Sequence, residues 1–147
     1  MNLIPKDCVE LKYQRVVRLR GQESMLPFAL LEDGQKRTIA VPLDPLEAAL
    51  IQLIHKGNSS SPKPYNTLVS CLCELGFNVK AVEILYNDEI DLYARLILSK
   101  ELEGNVEIEI PCVEGIACAQ LSKAPIYVSR ELMSSISADA PQAVTTK

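Results

Sequence analysis

Apolar residues recur along this chain with two different periods, and the changes of period divide it into elements. Residues 7–19, 25–31 and 38–42 are rich in Val, Leu, Ile and Tyr. Turn signals at Gly21-Gln22-Glu23-Ser24 and Glu32-Asp33-Gly34-Gln35 separate them, which predicts three strands in a meander. Asp44-Pro45-Leu46-Glu47 then has the form of a capping box with proline at the first helical position, and Leu46, Leu50, Leu53 and Ile54 follow at helical spacing. Gly57 closes that helix, and the breaker-rich stretch 58–64 is a loop. Leu68, Val69, Leu72 and Leu75 mark a second helix that stops at Gly76. Two apolar-rich strands, 77–86 and 90–98, are joined through Asn87-Asp88-Glu89 as a hairpin.

From residue 105 to 110 the period is two. Val106, Ile108 and Ile110 face one way and Glu107 and Glu109 the other. Pro111 is placed to open a third helix, in which Val113, Ile116, Ala117, Gln120 and Leu121 sit at helical spacing with only Gln120 polar. A short strand at 125–128 follows, and Ser129 is placed to cap a last helix running to about Ile136. The stretch 137–147, rich in Ala, Ser, Thr and Pro, is expected to be a disordered tail. Strands first, then mixed elements dominated by hairpins, predict one α+β domain over residues 1–136. Its sheet should be mixed and mostly antiparallel, with about seven strands and four helices.

Composition narrows the setting. At 147 residues and 48% hydrophobic, the chain suits a single core. No apolar run reaches the length of a membrane span, and no secretory leader is visible, so a cytoplasmic protein without a membrane partner is expected. Five cysteines at irregular spacing predict reduced, buried thiols rather than a disulfide framework. Net charge is −4, unevenly spread. Residues 1–40 carry seven Lys/Arg against five Asp/Glu, a net +2, and residues 41–147 carry eight against fourteen, a net −6. Lys12, Arg15, Arg18 and Arg20 crowd one predicted strand, the one candidate footprint for a polyanion. Two Phe, five Tyr and no Trp provide little for a base-stacking platform.

Candidate chemistry concentrates at the junction of the acidic strand and the third helix. Glu107 and Glu109 share a strand face about 6.5 Å apart, and Glu114 falls in the positive first turn of the helix. Carboxylates gathered there could hold a divalent cation. Each also has a plain structural reading: a solvated strand face for Glu107 and Glu109, dipole stabilisation for Glu114, a capping box for Glu47. His55 is the sole histidine, which excludes a His-rich zinc site and leaves one residue for any Ser-His or Cys-His nucleophile. Cys71 and Cys73 lie about 200° apart around a helix, so they are not a chelating pair.

The order of motifs resembles the bifunctional nuclease domain. The residues that carry the likeness are Ile39-Ala40-Val41-Pro42, Glu47-Ala48 opening a helix, Pro62-Lys63-Pro64, Leu75-Gly76-Phe77-Asn78-Val79, Leu92-Tyr93-Ala94-Arg95-Leu96 and Ala124-Pro125-Ile126-Tyr127-Val128, over about residues 10–136. The resemblance implies a domain that cleaves RNA and DNA. It also shows departures. Lys63 stands where the family has Arg between prolines, and Asn66, Thr67 and Leu68 stand where it has Thr-His-Asp. Glu109 and Glu114 replace two aspartates, and Pro111 replaces an arginine between them.

On this reading Glu109, Glu114 and Glu47 are the candidate catalytic acids, and Glu109 and Glu114 the ligands of Mg²⁺ or Mn²⁺. Lys63, Arg15 and Arg18 are the candidate substrate-binding cations, and no organic cofactor is implied. The expected partners are RNA or DNA and a second copy of the chain, as a homo-oligomer (dimer). The other reading is a non-catalytic oligomeric or protein-binding module on the same fold, which the motif losses favour.

Overall fold

The computed structural model describes residues 7–18, 26–57, 65–89, 91–139 and 145–146. The elements in order are β1 (Cys8–Arg18), β2 (Pro27–Glu32), β3 (Thr38–Pro42), α1 (Pro45–His55), α2 (Tyr65–Glu74), β4 (Phe77–Asn87), β5 (Asp91–Lys100), β6 (Gly104–Pro111), α3 (Cys112–Ser122), β7 (Ile126–Ser129), α4 (Arg130–Asp139) and β8 (Thr145–Thr146). This is the α+β domain the pattern predicted. The strands form one sheet in the order β3-β2-β1-β7-β4-β5-β6, with β8 added to β1. All pairings are antiparallel except β4 with β7.

β1 joins the two halves of the sheet. Its first residues, Cys8 to Leu11, pair with β7, and Lys12 to Arg18 pair with β2. The register slips between Tyr13 and Arg15, so Gln14 is an extra residue and the strand bends where it changes partner. The β2–β3 turn is closed by Asp33, whose side chain is only 2% exposed. Its Oδ1 accepts from Gln35 N at 2.8 Å and Arg37 N at 2.9 Å, and its Oδ2 accepts from Arg37 Nε at 2.8 Å. Burial alone would raise this carboxyl. The two backbone donors and the guanidinium outweigh it and hold the group below the usual carboxylate range.

α1, α2 and α3 cover one face of the sheet. Val82, Ile84, Leu96 and Leu98 of β4 and β5 form the core together with Ile51 of α1 and Ile116, Ala117 and Cys118 of α3. Each fully buried Ile or Leu contributes on the order of 1.5–3 kcal/mol through lost contact with water. α3 is buried on nearly all sides, from Cys112 through Ala119 except Glu114, which is why its sequence is small and apolar. At Gly115 the helix comes so close to the sheet that a Cβ would sit 2.6 Å from Ala94 Cβ and 3.1 Å from Val82 Cγ1. The opposite face of the sheet carries a smaller cluster of Ala81, Ile97 and Tyr127.

Several expectations are corrected. Pro111 is the last residue of β6 and the N-cap of α3, at φ −59° and ψ 150°, so Cys112 opens the helix. α4 runs to Asp139 rather than Ile136, and Thr145–Thr146 pair with β1, so those parts of the expected tail are structured. Ser129 caps α4 as expected, accepting from Leu132 N at 3.0 Å. Of the thiols, Cys112 and Cys118 are buried and Cys8 half-buried, but Cys71 and Cys73 are exposed because α2 buries only a narrow stripe. The turn at residues 21–24 and the loop 58–64 lie outside the described residues.

Candidate functional site

The C-terminal ends of the two edge strands, β3 and β6, line one cleft of about 820 Å³. The first turn of α1, the tip of the β4–β5 hairpin and the start of α3 complete its wall. Most of the wall is apolar. Its polar chemistry comes from three carboxylates, Glu47, Asp91 and Glu109, and two phenols, Tyr86 and Tyr93, and among the described residues no Lys, Arg or His takes part in the lining. The one thiol there, Cys112, is pushed up to about 12 by burial, which keeps it protonated and inert as a nucleophile.

Glu47 reaches the cleft from a rigid base. Asp44 N donates to Glu47 Oε1 at 2.9 Å and Glu47 N donates to Asp44 Oδ1 at 2.7 Å, the reciprocal pair of a capping box. One carboxylate oxygen is thus engaged in capping the start of the helix while the residue also lines the cleft. Glu109 stands exposed on β6, opposite Arg95 in the register of β5. Asp91 opens β5 in the left-handed region, at φ 70°.

Glu114 is half-buried in the first turn of α3 and is not part of the cleft wall. It acts instead on Tyr65, the first residue of α2. Burial first, and then the negative charges of Glu47, Glu114 and Asp44, push the Tyr65 hydroxyl up to about 12. The acids at the starts of α1 and α3 therefore converge on the start of α2.

Glu47 and Glu109 share a cleft, whereas Glu109 and Glu114 do not. Among the described residues no group of three or more His, Cys, Asp or Glu is gathered as a metal-holding set. The cleft carboxylates are hard oxygen donors without a competing cation in the wall. That donor set suits Mg²⁺ or Mn²⁺ held by one or two carboxylates together with substrate phosphate, not a cage made by protein alone.

The basic candidates are more dispersed. Lys63 lies outside the described residues. Arg15 pairs with Leu30 and Arg18 with Pro27 in an unbroken register, three residues apart, so they project from opposite faces of β1. Neither lines the cleft. His55 sits in the last turn of α1 with its ring edge-on to Tyr13, centroids 4.8 Å apart. Sequence reasoning missed Asp91, Tyr86 and Tyr93. Their traces were Tyr93 within the family-like motif Leu92-Tyr93-Ala94-Arg95-Leu96 and the hairpin at Asn87-Asp88-Glu89, which says where the chain turns but not which elements the turn will face.

The family model of the bifunctional nuclease domain matches residues 29–141, well over half of the chain. The chain belongs to that family. No curated protein matches it as a relative. Among the described residues no helix is long and apolar enough to cross a membrane.

Proposed function

We propose that this chain cleaves RNA or DNA phosphodiesters in the cleft between the ends of β3 and β6, with Glu109 and Glu47 as the acids that face the scissile phosphate. One observation carries the reading: two carboxylates far apart in sequence, both within the residues the family model matches, line the same cleft. Asp91 adds a third acid from the hairpin tip.

The division of labour follows from charge. Cleavage needs a general base for the attacking oxygen and neutralisation of the phosphoryl oxygens. Glu109, exposed and free of an ion pair among the described residues, is suited to accept a proton from water or from a ribose hydroxyl. Glu47 is held by its capping bond and is suited to orient rather than to shuttle. Bound Mg²⁺ or Mn²⁺ would supply positive charge at the phosphate, with Glu109 and Glu47 as the carboxylates that would hold it together with phosphate oxygens.

A second reading, a non-catalytic binding module, is favoured by the acid-only wall. Three carboxylates repel a polyanion unless a cation intervenes. The experiment is cleavage of labelled RNA, single-stranded DNA and duplex DNA with Mn²⁺, with Mg²⁺ and with chelator, beside a Glu47→Gln, Glu109→Gln double variant. Metal-dependent cleavage that the double variant loses supports the nuclease. Equal cleavage by both proteins identifies a contaminating nuclease, and none by either assigns the fold to the second reading.

A further inference from the structure

β6 ends the sheet with β5 on one side and, among the described residues, no strand on the other. None of its eight residues is buried. Its two faces differ in chemistry. Val106 and Ile108, 41% and 40% exposed, project on the side of the helices, beyond the reach of α3, whereas Glu107 and Glu109 project on the other side. The sheet supplies one cation beside them. Arg95 Nη1 lies 3.6 Å from Glu83 Oε1, and Arg95 Nε lies 3.7 Å from Glu107 Oε1. Two carboxylates thus share one guanidinium, and Glu109, the register partner of Arg95, has no ion pair among the described residues. The preceding turn adds Glu101 and Glu103, with only Lys100 in reach of Glu103 at 4.0 Å.

We infer that β6 is an edge for strand addition by an extended segment of a partner protein in which basic and aliphatic residues alternate. Lys or Arg of that segment stands beside Glu107 and Glu109, and its aliphatic side chains cover Val106 and Ile108. Main-chain hydrogen bonds to the open edge supply affinity, and the alternating pattern supplies selectivity. Charge decides against a second copy of β6 as the occupant. A twofold pairing centred on Ile108 sets Glu107 of each chain against Glu109 of the other, and like charges directly opposite are destabilising. The proposal shares Glu109 with the nuclease reading, but its test reads binding and no cleavage, so the two fail separately.

Two synthetic peptides with the same Val and Ile positions, one alternating with Lys and the other with Glu, are titrated into the full chain at low and high salt. Fluorescence anisotropy reads binding, and amide hydrogen exchange reads protection along residues 104–111. The Lys peptide should bind, weaken as salt rises and protect β6 amides, and the Glu peptide should not bind. In a Glu107→Lys, Glu109→Lys double variant the Lys peptide should lose about tenfold in affinity or more, as two cross-strand pairs turn from attraction to repulsion. Ile108→Lys, at an exposed position that leaves both acids in place, should weaken the Lys peptide through the apolar face. Equal binding of both peptides, or binding of neither, overturns the proposal. So does a dimer in sedimentation that Ile108→Lys dissolves, because that result gives the edge to a second copy.

Discussion

At one border of the sheet β3 is five residues long, Ile39 and Val41 are buried, and α4, whose Met133 is fully buried, lies against it and against β7. At the other border β6 is eight residues long, has no buried residue, and leaves Val106 and Ile108 about 40% exposed. An uncovered edge is a template for another strand, and β3 answers that hazard by being short, by ending in Pro42 and by lying under a helix. β6 answers it only with Glu107 and Glu109. Charge of one sign repels copies of itself and admits the opposite sign, so the same device that keeps β6 from self-pairing selects what can join it. The cleft lies where the two borders end, which puts the stable edge and the open edge on either side of the candidate site.

The contrast breaks most readily at the covered border. Met133→Ala should destabilise the protein by about 2–5 kcal/mol, the usual cost of emptying a large apolar site in a packed core, and chemical denaturation measures it. Should the loss instead be negligible, α4 does not anchor β3. Gly115→Ala probes how firmly α3 seats on the half of the sheet that leads to β6. The added methyl meets Ala94 at 2.6 Å, and forced overpacking costs about 1–3 kcal/mol. A neutral or stabilising Ala would show that the helix can lift away without penalty.

A smaller effect separates the borders by pH. Asp33, in the turn that leads into β3, has its carboxyl held below the usual range, so its stabilisation is complete above the unfolded carboxyl value of about 4. It fades as pH falls further through the depressed folded value. Amide exchange in acid should therefore accelerate at the β2–β3 turn in wild type and much less in Asp33→Asn, which has already lost the charge. The smallest effect belongs to Ile108→Thr on the open border, where a change of at most about 0.5 kcal/mol is expected for an exposed side chain. A loss as large as that at Met133 would mean that β6 is covered in solution.

What was legible in the sequence was what neighbours in the chain decide. Asp44 and Glu47 lie three residues apart and form the capping box their spacing announces. Ser129 caps α4 for the same reason. The alternation at residues 105–110 correctly assigned Val106 and Ile108 to one face and the two glutamates to the other, yet it could not say that α3 would shelter Ile110 and leave the other two in water. Cys71 and Cys73 were misplaced in the core on the same account, since helical spacing sets their directions and only packing sets what covers them.

The candidate site divides in the same way. That Glu109 and Glu114 flank a strand-to-helix junction is local and was read correctly, with the start of the helix shifted by one residue. That Glu109 shares a cleft with Glu47 and Asp91, while Glu114 stays out of its wall, depends on strand order. By itself the chain determined the elements, their caps and the face each residue takes, because periodicity and capping act over a few residues. Only the tertiary structure decided which border of the sheet is covered and which acids share a space, because those follow from pairings between segments distant in sequence.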